Sequence, residues 1–251
     1  MMTTTRTEMI RPISRREMQI LATTEYARFA EQLRALAPED WSTATDCPLW
    51  DVRAVAGHCL GMVEDFTSFR KLMPRMRAAT KAAKAAGGPV IDSMTAMQVA
   101  EHASLSTAEL ISKIDDNGPR AARWRAKAPA LFRKMPMKEE VGGKTETWKM
   151  GYLLDIILTR DPWMHRVDIA YATGRELTLT PEHDGRIIGD VVAEWARRHG
   201  QPFTLTLTGP AGGTYAAGDQ GDPITIDAIE FCRTLSGRAL SSGLLAGAVP
   251  F

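Results

Sequence analysis

The chain holds five histidines, His58, His102, His165, His183 and His199, and two of them stand where chemistry could be done. His165 lies in the run Arg160-Asp161-Pro162-Trp163-Met164-His165-Arg166-Val167-Asp168, four residues beyond Asp161. On a continuous helix that spacing puts a carboxylate and an imidazole on one face, and together they can chelate a divalent ion. A third ligand from a facing helix, such as His58, would leave one position open, as a catalytic zinc site requires. The plainer reading of the same spacing is a half-buried hydrogen bond, and spacing alone does not choose between them. Asp168 could hold a ligand imidazole in place, or pair with Arg166 or Arg175 on an exposed face.

The elements that would position these groups are mostly helical. Apolar residues recur at helical spacing from Ser14 to Ala37, where Pro38 stops the run. Asp51 is a fitting N-cap for a second helix, which carries Val52, Val55, Ala56, Cys59, Leu60 and Val63 on one face with His58 among them. Arg75 to Ala86 is basic and alanine-rich, read as a solvated helix end before the loop Gly87-Gly88-Pro89. Ser106-Thr107-Ala108-Glu109 has the form of a capping box and opens a short helix ending near Asn117-Gly118-Pro119. Residues 120–147 read as a helical turn followed by a long loop. Strong helical patterns return from Met150 to Ala172, closed by Thr173-Gly174, and from Pro181 to Arg198.

The period then changes. Phe203-Thr204-Leu205-Thr206-Leu207-Thr208 alternates as a half-buried strand should, with further strands expected at Thr214–Ala217 and Pro223–Ile226. Asp227 caps a last helix to about Ser236. The expectation is a mainly α chain: a helical bundle over residues 1–180, then a small α+β domain over 181–251.

Composition narrows the function classes. Lys+Arg 31 against Asp+Glu 30 leaves a net charge of +1 over 251 residues, which disfavours a phosphate-gripping nucleic-acid binder. No apolar run approaches the ~20 residues of a membrane span, and the N-terminus lacks the apolar stretch of a secretory signal. The three cysteines, Cys47, Cys59 and Cys232, form no Cys-x-x-Cys pair and read as small buried apolar residues in a reducing cytoplasm. His183 is read as structural or exposed, His102 and His199 as surface residues, and Trp50, Trp163 and Trp195 as core.

Two stretches carry a family resemblance. Thr45-Asp46-Cys47-Pro48-Leu49-Trp50-Asp51-Val52-Arg53 with Gly57-His58 resembles the opening motif of the mycothiol-dependent maleylpyruvate isomerase family, part of the DinB-like group of metal-binding four-helix bundles. Asp161 to Ile169, Ala172-Thr173-Gly174-Arg175 and Leu179-Thr180-Pro181-Glu182-His183-Asp184 match the later part of the family pattern. Leu207 to Gly213 and Leu235-Ser236-Gly237-Arg238 look like its small C-terminal domain.

The resemblance implies a DinB-like bundle with a zinc-type ion held by His58, Asp161 and His165. It further implies a low-molecular-weight thiol such as mycothiol as cosubstrate, a small unsaturated acid as substrate, and Arg238 as the group that binds an anion. One departure stands out. Pro162 follows Asp161 directly, removes a helical donor and disfavours helical geometry at the residue before it. The helix is therefore expected to kink or restart there, with Asp161 as its cap. A binding module without turnover, or a hydrolase using metal-activated water, are the other classes this residue set allows. Oligomeric state is not readable.

Overall fold

The protein is described from a computed structural model covering residues 4–219 and 221–251. It divides into two compact units. Ser14–Met137 and Trp148–Leu177 form a helical unit; Met1–Ile13, Lys138–Thr147 and Thr178–Phe251 form an α+β unit. The units are discontinuous, where the sequence reading drew a single boundary at residue 180.

In the helical unit, α1 (Arg15–Arg34) starts at a full capping box, the Ser14 hydroxyl accepting from the Glu17 N–H and the Glu17 carboxylate from the Ser14 N–H. Its buried stripe, Met18, Leu21, Ala22, Tyr26, Phe29, Ala30 and Leu33, follows the apolar period of the sequence. Next come α2 (Val52–Asp65), α3 (Phe69–Ala86), α4 (Val90–His102) and α5 (Thr107–Lys127). The closing helix is composite: α7 (Met150–Tyr152), a π-helical turn (Leu153–Ile157) and α8 (Leu158–Thr173). Helix α1 packs on α5 and α8, and α2 on α4, α5 and α8, so α1, α2, α5 and α8 make the bundle with α3 and α4 against α2. This is the mainly α bundle anticipated from the sequence.

Two local expectations are corrected. Helix α5 does not end near Pro119 but runs through it to Lys127. Pro119 frees the carbonyl four residues back, and that residue, Asp115, is exposed to water. Gly118 lets Tyr26 approach, since a Cβ there would lie 2.7 Å from the Tyr26 Cβ. Residues 130–149 also hold structure: a short helix, α6 (Ala130–Lys134), then a hairpin of β2 (Pro136–Val141) and β3 (Lys144–Lys149). Its turn is Gly142-Gly143, both at positive φ (55° and 74°), the backbone a two-residue hairpin demands.

In the α+β unit, a four-stranded sheet has the order β1-β5-β4-β6, with β1 (Thr4–Arg6), β4 (Phe203–Thr208), β5 (Gly213–Ala217) and β6 (Pro223–Asp227). Strands β4 and β5 are antiparallel, pairing Leu205 with Tyr215, while β1–β5 and β4–β6 are parallel. Helices α9 (Asp184–His199) and α10 (Ala228–Leu235) complete the unit. Its aromatic core is Trp195, tilted against Phe203 at 4.6 Å and edge-on at 5.4 Å to Phe231, with the indole N–H given to the Leu244 carbonyl.

Candidate metal centre

The two helices that carry the candidate ligands are set by different devices. Helix α2 is regular and capped, the Asp51 carboxylate accepting from the Ala54 N–H at 2.8 Å. Helix α8 is not interrupted at Pro162, correcting the expected restart: Asp161 and Pro162 both lie inside its first turn and a half. The irregularity sits one turn earlier. In the π-helical turn the Leu158 N–H reaches back five residues to the Leu153 carbonyl, which moves it off the Leu154 carbonyl. Pro162, lacking an N–H, leaves the Leu158 carbonyl without its helical donor.

Arg125 of α5, fully buried, serves both oxygens. Its Nε donates to the Leu154 carbonyl at 2.8 Å and its Nη1 to the Leu158 carbonyl at 2.9 Å, with Tyr26 Oη and Thr159 Oγ1 taking further donors at 2.8 and 2.7 Å. The kink that Pro162 would otherwise cause is thereby absorbed, and Asp161 and His165 keep the i, i+4 relation of one helix face.

That face meets His58. His58 Nε2 lies 3.5 Å from Asp161 Oδ2, and His165 Nε2 lies 3.6 Å from Asp161 Oδ1. The ligand atoms of the three residues all fall within 4.8 Å of one another. Each ring is held from behind: His165 Nδ1 by Asp168 Oδ2 at 2.9 Å and His58 Nδ1 by Gln98 Oε1 at 2.8 Å. A carboxylate behind an imidazole accepts its Nδ1–H and leaves the Nε2 lone pair for the front. Trp50 covers one flank, its ring centroid 4.8 Å from that of His58.

This set fits a divalent cation. Two imidazole nitrogens face a carboxylate at distances too long for hydrogen bonds, an arrangement that needs positive charge among the three groups. Without an ion, a proton supplies it. Burial opposes a charged His165, but the field of Asp161, hydrogen bonds to Asp168 and Cys47 and the field of Asp168 push it up to about 10. A metal ion would replace that proton. Two nitrogens and a carboxylate oxygen are the donors of a three-ligand zinc site. A second grouping, Cys47 with His165 and Asp168, is also close. Its imidazole atom is His165 Nδ1, 3.9 Å from Cys47 Sγ, and that nitrogen is already engaged with Asp168.

The other sequence candidates fall as follows. Asp168 is fully buried behind His165 rather than on an exposed face. Trp163 and Trp195 are core, but Trp50 is half-buried beside His58. Cys59 and Cys232 are buried as expected, while Cys47 is half-buried with Sγ 3.6 Å from Asp168 Oδ2. His102 is not at the surface: it is buried, with Nε2 3.5 Å from Glu64 and Nδ1 on the Gln98 carbonyl. His199 is half-buried against Trp195 and Phe203, and His183 is buried. Arg238 belongs to the α+β unit, half-buried just past α10, its N–H donated to the Arg233 carbonyl. Sequence reasoning missed Gln98 and Asp65. The available signal was Gly57 and Gly61, one turn apart on α2, which mark a face where another helix comes close.

Comparison with known proteins agrees with the fold. A family profile described as mycothiol maleylpyruvate isomerase N-terminal domain matches residues 22–170, more than half of the chain. A crystal structure of the mycothiol-dependent maleylpyruvate isomerase is similar over 90% of both chains, with 15% identity and a TM-score of 0.54. That of a histidine-to-alanine mutant of such an isomerase is similar over the same shares, with 16% identity and a TM-score of 0.51. No curated protein sequence matches the chain. No helix among the described residues is long and apolar enough to cross a membrane. By the extent of the profile match, the chain belongs to the mycothiol maleylpyruvate isomerase N-terminal domain family.

Proposed function

We propose that the chain is a metal-dependent enzyme that uses a low-molecular-weight thiol of the mycothiol type. It would isomerise a small electrophilic, unsaturated acid or transfer the thiol onto it. The observation that carries this reading is the convergence of His58 Nε2, His165 Nε2 and the Asp161 carboxylate, each imidazole held from behind. In the proposal these three residues hold a divalent ion, zinc. When bound, such an ion supplies the thiolate form of a coordinated thiol near neutral pH, and thiolate is the reactive nucleophile.

The protein's own residues prepare the site. Asp168 and Gln98 fix the two rings, and Trp50 shields the flank of His58 from water. Cys59 and Cys232 are buried, which is consistent with a reactive sulfur that arrives with the cosubstrate. Arg238 is proposed to bind the carboxylate of substrate or thiol, supported by the forked geometry of its donors and by its place in the C-terminal motif. The partners are then small molecules, with no nucleic acid and no membrane, in the cytoplasm.

Metal analysis of protein purified without added zinc, with thermal-shift titration of mycothiol and simpler thiols, tests the reading. About one ion per chain and a thiol-dependent shift that chelator abolishes are expected. Unchanged metal content in both His58→Ala and His165→Ala would sink the site. Ester or amide hydrolysis that ignores added thiol would replace the thiol chemistry with activated water.

A further inference from the structure

Behind His58 runs a chain of hydrogen bonds that leaves the region of the proposed ion altogether. Gln98 of α4 presents Oε1 to His58 Nδ1 at 2.8 Å and gives its Nε2 to Asp65 Oδ2 at 2.7 Å. Asp65, the last residue of α2, pairs through its other oxygen with Arg75 Nε of α3, and Arg75 also holds Glu101 of α4. Gln98 and Asp65 are buried at 3% and 1% exposure. The approach of α4 depends on Gly61, where a Cβ would lie 2.5 Å from the Gln98 Cβ.

We propose that Asp65, acting through Gln98, dictates which nitrogen of His58 carries the proton. An amide side chain can turn either way, donor or acceptor forward, and by itself sets no tautomer. The Asp65 carboxylate, kept as an ion-pair partner by Arg75, can only accept. It therefore demands the NH2 of Gln98, which turns the amide oxygen toward His58. That oxygen in turn demands an N–H, so His58 is the Nδ1–H tautomer and its Nε2 lone pair faces Asp161 and His165. In His165 the Nδ1–H is held by Asp168 directly behind it. In His58 the Nδ1–H is held at one remove, and Gln98 and Asp65 are positioning residues.

The inference rests on the proposed metal site for its purpose but not for its test, because the tautomer can be read in metal-free protein. Long-range 1H–15N correlation on 15N-histidine-labelled apoprotein, assigned with His58→Ala, is expected to show His58 as Nδ1–H. Asp65→Asn is nearly isosteric. Arg75 keeps the oxygen of Asn on its own side, so the new NH2 faces Gln98, the amide of Gln98 turns over and His58 becomes Nε2–H. Zn(II) or Co(II) affinity then falls by roughly 10–100-fold, the range for loss of an outer partner.

Adding Gln98→Glu to Asp65→Asn puts an acceptor back behind His58 without changing net charge, and is expected to restore both the tautomer and the affinity. Should Asp65→Asn fail to fold, Gln98→Met removes the acceptor alone, and mixed His58 tautomers are expected. A wild-type His58 found as Nε2–H, an Asp65→Asn protein that keeps Nδ1–H, or a double variant without rescue would each overturn the proposal. A wild-type protein that binds no metal yet shows Nδ1–H at His58 would sink the proposed function while supporting this inference.

Discussion

Helix α2 carries two clusters of histidine and carboxylate that look alike by composition and differ in kind. His58 joins Asp161 and His165; six residues on, Glu64 joins Glu101 and His102, and each set brings its ligand atoms within 4.8 Å. In the second cluster the charge is already answered. Lys113 and Lys71 lie 3.6 and 3.9 Å from Glu64, His102 lies at 3.5 Å, and Arg75 holds Glu101. The His102 imidazole beside it lowers Glu64 against the cost of burial, and with the fields of the lysines takes it to about 2. An ion entering there would have to displace ammonium groups. The first cluster instead aims two imidazole nitrogens at one carboxylate and anchors each ring from behind. Proximity of ligand types is thus a weak criterion for a metal site, whereas convergent lone pairs with fixed tautomers are a strong one.

The sharpest way to break this comparison is to remove a ligand from each cluster. His58→Ala or His165→Ala is expected to lower Zn(II) affinity by more than the roughly 100-fold upper range for an outer partner. Glu64→Gln and His102→Gln should leave the bound metal unchanged, as read by elemental analysis after dialysis and by Co(II) absorption. Equal losses from both clusters would erase the distinction drawn between them.

The two clusters also differ in how their helices are built, and Arg125 exposes that. The Glu64 cluster sits on regular α2 and α4, but Asp161 stands just after a π-helical turn whose carbonyls depend on one guanidinium. Arg125→Met should destabilise the fold by about 2–3 kcal/mol in urea unfolding, since at least two buried carbonyls lose their donor. Pro162→Ala returns an N–H to the Leu158 carbonyl, so the double variant should recover part of that loss, a coupling of roughly 1 kcal/mol. Additive effects would mean that Arg125 does not compensate for Pro162.

Much of this was legible beforehand, and the failures have physical causes. The caps at Asp51, Ser106 and Asp227 were readable because a side-chain acceptor at a helix start acts within three residues. The Asp161/His165 pair was readable because helical geometry is periodic. Its survival next to Pro162 was not, because the compensating group, Arg125, comes from a different helix. Gln98 was invisible for the same reason: nothing local distinguishes a glutamine that turns an imidazole from one that faces water. Pro119 misled because a proline is tolerated where the carbonyl it frees reaches solvent. The hairpin at Gly142-Gly143 was missed although its turn residues are explicit, because the surrounding Ala, Lys and Pro read as loop.

The smallest expected effect concerns the second cluster alone. Glu64 falls from an ordinary 4.5 to about 2 in the folded protein, so its ionised form is favoured by folding. Its contribution to stability is present above about pH 4.5 and is lost as pH falls toward 2. His102 runs the other way. Burial works against its charge, but Glu64, the Gln98 carbonyl and Glu101 raise it above 6.5, so its contribution is full below 6.5 and fades as pH rises through the folded value. The pair should therefore stabilise most between these limits. Lys71 and Lys113 reach Glu64 from positions that are 57% and 45% exposed, so solvent screening should hold the effect to about 1 kcal/mol or less. Subtracting the urea-unfolding stability of Glu64→Gln from that of the wild type across pH should give a broad maximum near pH 5–6 that shrinks with added salt. A difference that stays flat from pH 3 to pH 8 would show that the cluster's charges are not what holds it together.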